Sequence, residues 1–82
     1  MEKEPVVVVK KDNEVIVEVY EVVGEFESNG KWNWKLTFSS WYGREPKYDL
    51  RQWSEDMQKF GKGVTLTRDE LFELHNIIDE IE

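Results

Sequence analysis

The chain has 82 residues, 39% of them apolar and 35% charged, and a formal charge of −7. This length supports one hydrophobic core, and the composition is too apolar for a wholly disordered chain and too charged for a membrane-spanning one. With no cysteine and one histidine, disulfide staples, thiol nucleophiles and zinc sites of the cysteine and histidine kinds are excluded, and with no long apolar run near the start the chain is expected in the cytosol.

In chain order, residues 5–9 (Pro-Val-Val-Val-Val) read as a short extra strand, and residues 10–13 (Lys-Lys-Asp-Asn) as its turn. In the next segment Val15, Val17 and Val19 alternate in one phase, whereas Tyr20, Val22 and Phe26 continue in the other, which predicts a bulge or bend near Tyr20. Ser28-Asn29-Gly30 is a hairpin turn signal, because Asn and Gly accept positive φ at little cost. Residues 31–38 alternate cleanly: Trp32, Trp34, Leu36 and Phe38 are expected to pack, with Lys31, Asn33, Lys35 and Thr37 on a polar, basic side.

Gly43 and Pro46 mark a turn, and residues 47–53 alternate again, with Lys47, Asp49, Arg51 and Trp53 on one side. Residues 54–61 are polar and turn-like, and residues 63–66 read as a last short strand. Thr67 with Glu70 three residues later forms a capping box that opens a helix over residues 67–81. Its apolar stripe, Leu71, Leu74, Ile77, Ile78 and Ile81, is expected to pack on a sheet or on a second copy of itself. His75 lies on this helix without a plausible nucleophile or metal ligand nearby in the pattern, and is read as structural or solvent-facing.

The net charge hides its distribution. Residues 1–30 carry −5, residues 31–62 carry +3 and residues 63–82 carry −5, and the basic middle third also holds eight of the eleven aromatic residues. Cations that neutralise phosphates, interleaved with rings that stack on bases, are what a single-strand nucleic-acid binder needs. If the strands of this third are antiparallel neighbours, Lys31, Lys35, Lys47, Arg51 and Trp53 share one sheet surface. The competing reading places most of the rings in the core of a small sheet, and pairs Asp49 with Arg51 along one strand. Gly61 and Gly63 serve either a tight turn or the close approach of a backbone to a phosphate.

The runs Trp41-Tyr42-Gly43, Pro46-Lys47-Tyr48-Asp49-Leu50-Arg51-Gln52-Trp53 and Gly61-Lys62-Gly63-Val64-Thr65-Leu66, followed by an amphipathic helix, resemble the transcriptional positive cofactor 4 family, and most closely its short bacterial YdbC-type branch. The resemblance covers about residues 19–81. It implies an α+β fold, a curved four-stranded antiparallel sheet followed by a C-terminal helix, here with residues 1–18 as an N-terminal extension or extra strand of a single domain. It further implies a homodimer that binds single-stranded DNA without sequence preference. Carried over by position, the resemblance puts phosphate contacts at Arg51 and Lys62 and stacking rings at Trp53 and at Tyr42 or Trp41. Arg44 in the hairpin and Gly63 beside Lys62 belong to the same candidate surface, and Lys35 and Lys47 are added by alternation. The loop between Trp53 and Gly61 is shorter than in the eukaryotic members, and the segment around Lys62 has one basic residue fewer.

The resulting expectation is a non-enzymatic binding module without a cofactor, a small-molecule substrate or a membrane partner, associated with the bacterial nucleoid and serving transcription regulation, replication or repair. RNA is the other polyanion a stacking face admits. The alternative is a protein-interaction adaptor using the sheet edge or the terminal helix.

Overall fold

The computed structural model describes residues 4–27 and 30–81. Strands β1 (Val7–Lys11), β2 (Glu14–Glu25), β3 (Trp32–Trp41), β4 (Lys47–Ser54) and β5 (Phe60–Leu66) precede one helix, α1 (Arg68–Asp79). They form one sheet in chain order, each strand antiparallel to the next. This is the α+β arrangement that the family resemblance implies, with five strands because the N-terminal valines form the extra strand β1. The Ser28-Asn29-Gly30 turn falls, apart from Gly30, outside the described residues.

Register slips bend the sheet. They lie in β1/β2 between Val9 and Lys10, in β2/β3 around Tyr20 and again between Val22 and Gly24, and in β4/β5 between Arg51 and Trp53. The slip at Tyr20 is the one the change of phase in β2 predicts. Each inserts an extra residue in one strand, which increases local twist and bends that strand. The sheet curls so that Val9, Val17, Val19 and Trp53 from three strands meet Met57 from the β4–β5 loop, with Val7, Trp41 and Phe60 packed around them. We call the face that carries this core the inner face.

The sides of β3 are exchanged relative to expectation. Thr37 and Ser39, from the nominally polar side, are buried, whereas Trp32 and Trp34, from the nominal packing side, are exposed. Small side chains at the bottom of a curve let the strands close over them, and the Thr37 and Ser39 hydroxyls satisfy each other at 2.8 Å. The wide indoles go to the outer face, where there is room.

The β4–β5 loop is fixed by a small polar network. The Ser54 hydroxyl and the Gln58 backbone N–H donate to Asp56 Oδ1, and the Met57 N–H donates to the Ser54 carbonyl. Met57 has φ 56°, the left-handed conformation that turns its side chain back into the core.

Helix α1 lies on the outer face, where Leu36, Leu50 and Leu66 of the sheet face Leu71, Leu74 and Ile78 across an apolar groove of about 440 Å³. The predicted stripe is present, yet no residue of α1 is buried, and Phe72, Ile77 and Ile78 are exposed. One chain therefore leaves the apolar side of its helix incompletely covered.

The capping box forms as predicted: Glu70 N–H donates to Thr67 Oγ1 at 3.1 Å and Thr67 N–H to Glu70 Oε1 at 2.8 Å. The bond from the Thr67 backbone, then that with its side chain, holds the Glu70 carboxyl below its ordinary value of 4.5. A carboxylate lowered on folding contributes stability that is present above its unfolded value and lost as pH falls through the folded one. In thermal melts, the stability advantage of the native chain over Glu70→Gln should therefore shrink as pH drops from about 6 to about 3; a gap independent of pH would show that the box does not depend on the carboxylate charge.

Candidate nucleic-acid interface

Along the inner face the register places Thr37 opposite Asp49 and Lys35 opposite Arg51, and on the other side of β4 Thr65 opposite Asp49 and Gly63 opposite Arg51. Two residues apart on one strand point to the same side, so Asp49 and Arg51 are neighbours by construction. Arg51 Nε donates to Asp49 Oδ1 at 2.6 Å and Nη2 to Oδ2 at 2.8 Å, a two-pronged contact, and Nη1 reaches the Gly61 carbonyl at 3.3 Å. Thr65 Oγ1 donates to Asp49 Oδ2 at 3.1 Å. Asp49 is fully buried and the Arg51 side chain is 14% exposed. The guanidinium also lies 4.4 Å above the Trp41 ring, a cation–π contact, and the Trp41 ring meets Phe60 edge-on at 4.9 Å. The pairing of Asp49 with Arg51, weighed in the sequence against a free cation, is what the fold contains.

Trp53 requires a correction. It has 0% exposure and packs against Phe60 at 5.4 Å between ring centroids. A ring with no accessible face offers nothing to a base, so in this conformation Trp53 is a core residue. The alternation that grouped Trp53 with the cations is right, but that side of β4 faces the core. Arg51 shares the side, and its charge is already spent on a buried carboxylate.

The other sequence-named residues divide by position. Lys35 is drawn into an ion pair with Glu25, its neighbour across β2/β3, at 3.3 Å, and its side chain is 14% exposed. Trp41 is half-buried beneath Arg51. Tyr42 is 63% exposed and, with φ 53° followed by Gly43 at 73°, sits at the tip of a tight turn closed by Arg44 N–H donating to the Trp41 carbonyl at 3.0 Å. Arg44 and Lys47 are exposed on either side of Pro46, and Lys47 begins β4. Lys62 is exposed on β5, in the half of that strand that starts at Phe60 beside Trp53, away from the Tyr42 turn. Along the strands Tyr42, Arg44 and Lys47 stand at one end of the sheet and Lys35, Trp53 and Lys62 further along β3, β4 and β5, although the curl brings the Trp41 ring back over Arg51 and Phe60.

Gly63 lies within β5 rather than in a turn. A Cβ there would fall on Arg51 Cβ and on the Leu50 carbonyl oxygen, while one at Gly61 would meet Gln52 only at 3.8 Å. The glycine lets β5 pass close against the root of the Arg51 side chain. Two features escaped the sequence reading: Trp41 as the platform under Arg51, and Thr65 as the second donor to Asp49. The second follows from the β4/β5 register, which sets Thr65 opposite Asp49, whereas the first follows from the curl of the sheet, because register places Lys35 and not Trp41 opposite Arg51.

An antiparallel meander with one helix on its outer face, and with a ring and cations displayed at the turns, defines a small sheet-and-helix module of the α+β class. Within that class the chain belongs to the family described as Transcriptional Coactivator p15 (PC4), whose model matches residues 28–77. It is also similar to an uncharacterized protein of Treponema pallidum (strain Nichols), with 44% identity over 66 residues that span 76% of this chain and 78% of the relative. The family match begins after β2, so β1 and β2 lie outside it.

The packing around Gly63 gives a test. Overpacking of this kind costs about 1–3 kcal/mol. Urea denaturation should show Gly63→Ala destabilised by about that amount, with Gly61→Ala close to wild type; equal midpoints for the two variants would contradict the close approach of β5 to Arg51.

Proposed function

We propose that the protein binds single-stranded DNA without sequence preference, as a homodimer, through the exposed turn between β3 and β4 and the cations that flank it. The supporting observation is the environment of Tyr42. This ring, 63% exposed, stands at the start of a tight turn that Arg44 and Lys47 follow, and neither cation has an ion-pair partner among the described residues, although Lys47 lies near enough to Glu70 to help hold its carboxyl below the ordinary value. Membership of a transcriptional coactivator family agrees with nucleic acid as the partner. A base that leaves its stack finds a π-face at Tyr42, and phosphates on either side meet a guanidinium and an ammonium. Duplex DNA keeps its bases paired, which favours unpaired strands for a stacking site. Lys62 on β5 supplies a further phosphate contact. Arg51, Lys35, Trp41 and Gly63 act by holding the inner face in shape, and Trp53 supports it as core.

The outer face supports self-association. Phe72 and Ile78 are exposed at the apolar groove, and Trp34, Val64, Ile77 and Ile81 are further exposed apolar side chains of the sheet and of α1. An apolar surface of this extent on so small a chain is covered when two copies pack helix and sheet together. Two protomers with three free cations each would neutralise about six phosphates, giving a slope of log affinity against log salt of about −4 on a single strand.

Fluorescence anisotropy with a labelled oligothymidine tests this reading. Tyr42→Ala should weaken binding by about 1–3 kcal/mol, the usual worth of one stacked base, and an Arg44→Gln/Lys47→Gln double variant should flatten the salt slope. Equal affinity for duplex and single strand, or no effect of Tyr42→Ala, would contradict it. Sedimentation should show a dimer that Ile78→Glu converts to monomer, with weaker DNA binding as the second face is lost; a native monomer would leave the dimeric part of the reading unsupported.

A further inference from the structure

The β1–β2 hairpin ends on the same edge of the molecule as the Tyr42 turn. Val17 pairs with Trp41, and Tyr42 N–H donates to the Ile16 carbonyl at 2.8 Å, so the start of β2 runs alongside the β3–β4 turn. Beyond Ile16 two more residues, Val15 and Glu14, continue β2, and they pair with Lys10 and Lys11. At about 3.4 Å per residue the hairpin therefore projects about 7 Å past Tyr42. Its tip is well defined: Asp12 and Asn13 have φ of 54° and 68°, the paired left-handed residues of a two-residue hairpin turn. Two tight turns thus stand side by side, one carrying Tyr42 and Arg44, the other Lys10 and Lys11.

Lys10 and Lys11 are exposed, and neither makes an ion pair among the described residues, although Glu14 is the register neighbour of Lys11. With Arg44 and Lys47 they make four cations at this end, alongside the acids Asp12, Glu14 and Glu45 and the Glu70 carboxyl that Lys47 helps to hold below its ordinary value, in a chain whose overall charge is −7. Reading the sequence by thirds conceals this, because both lysines lie in an acidic third and reach the basic turn only through the β1–β2 pairing.

We propose that the β1–β2 hairpin is an arm of the binding track, on which Lys10 and Lys11 take phosphodiester groups of the strand beyond the base stacked at Tyr42. This rests on the single-strand reading above and adds to it a segment that lies outside the family match. The contact is purely ionic, so it contributes affinity and salt dependence without selecting bases.

The test compares Lys10→Gln/Lys11→Gln with Lys31→Gln/Lys59→Gln, two lysines that border a recess at the opposite end of the sheet, and with Arg44→Gln/Lys47→Gln. Anisotropy titrations use oligothymidines of increasing length over a range of salt. Losing two phosphate contacts from a single strand should reduce the salt slope by about 1.4 per hairpin engaged, and the loss should appear only once the oligonucleotide is long enough to extend past the Tyr42 turn. Unchanged melting temperature would confirm that the hairpin is intact. If the hairpin variant binds like wild type while the Arg44/Lys47 variant is impaired, the arm is refuted and the Tyr42 site stands. If the two distant lysine pairs have equal effects at every length, the contribution is one of net charge and the arm is likewise refuted. If the native protein binds no oligothymidine, the underlying single-strand reading fails and the arm fails with it.

Discussion

The inner face is organised by one buried ion pair. Asp49 has no exposure, and its carboxylate is satisfied by two donors of Arg51 and by the Thr65 hydroxyl. A carboxylate in such a place is tolerated only when paired and hydrogen-bonded, because removing either partner leaves an uncompensated charge. The requirement spreads outward. Arg51 must lie flat along the sheet, so β5 needs Gly63 beside it and Trp41 supplies the ring above it. Trp41 in turn rests on Phe60, and Phe60 on Trp53. The guanidinium and the three rings form one layer, closed on its far side by the valines of β1 and β2 and by Met57.

A surface built this way has consequences for binding. Rings and cations that the sequence places in one basic third are separated by the fold into a structural set and a displayed set. Trp41, Arg51, Trp53 and Phe60 shape the sheet; Tyr42, Arg44 and Lys47 stand on a turn whose position that shape determines. For the stacking role proposed for Tyr42, two consecutive left-handed residues fix the backbone that carries the ring, which lowers the ordering cost of binding. The helix adds a second feature: its apolar side borders a groove that one chain leaves open, which the proposed dimer would close with a second copy.

Much of this was legible in the residues. The five strands, the bulge at Tyr20 and the capping box at Thr67 each have a local cause, whether alternation, a change of phase or a side-chain bond, and local causes can be read from a linear chain. The direction in which the sheet curls was not legible. Alternation in β3 separates Trp32 and Trp34 from Thr37 and Ser39, but it does not say which set lies inside. Residue size favours the indoles, whereas curvature favours the small hydroxyls, and curvature is set jointly by bulges in three strand pairs. The burial of Trp53 and the engagement of Arg51 follow from that single choice of side. Lys10 and Lys11 were hidden for a different reason: their importance lies in which turn they stand beside, a property of strand order rather than of composition.

The central claim is that Arg51 and Trp53 form an internal scaffold and that the nucleic acid is met at the Tyr42 turn. Heteronuclear NMR of the native protein titrated with oligothymidine addresses it most directly. The account predicts large shifts for the backbone amides of Tyr42, Gly43 and Arg44, with the Arg51 Nε–H and Trp53 indole N–H resonances nearly unmoved. Large shifts at the Trp53 indole and Arg51 Nε–H, with the turn amides unchanged, would contradict it.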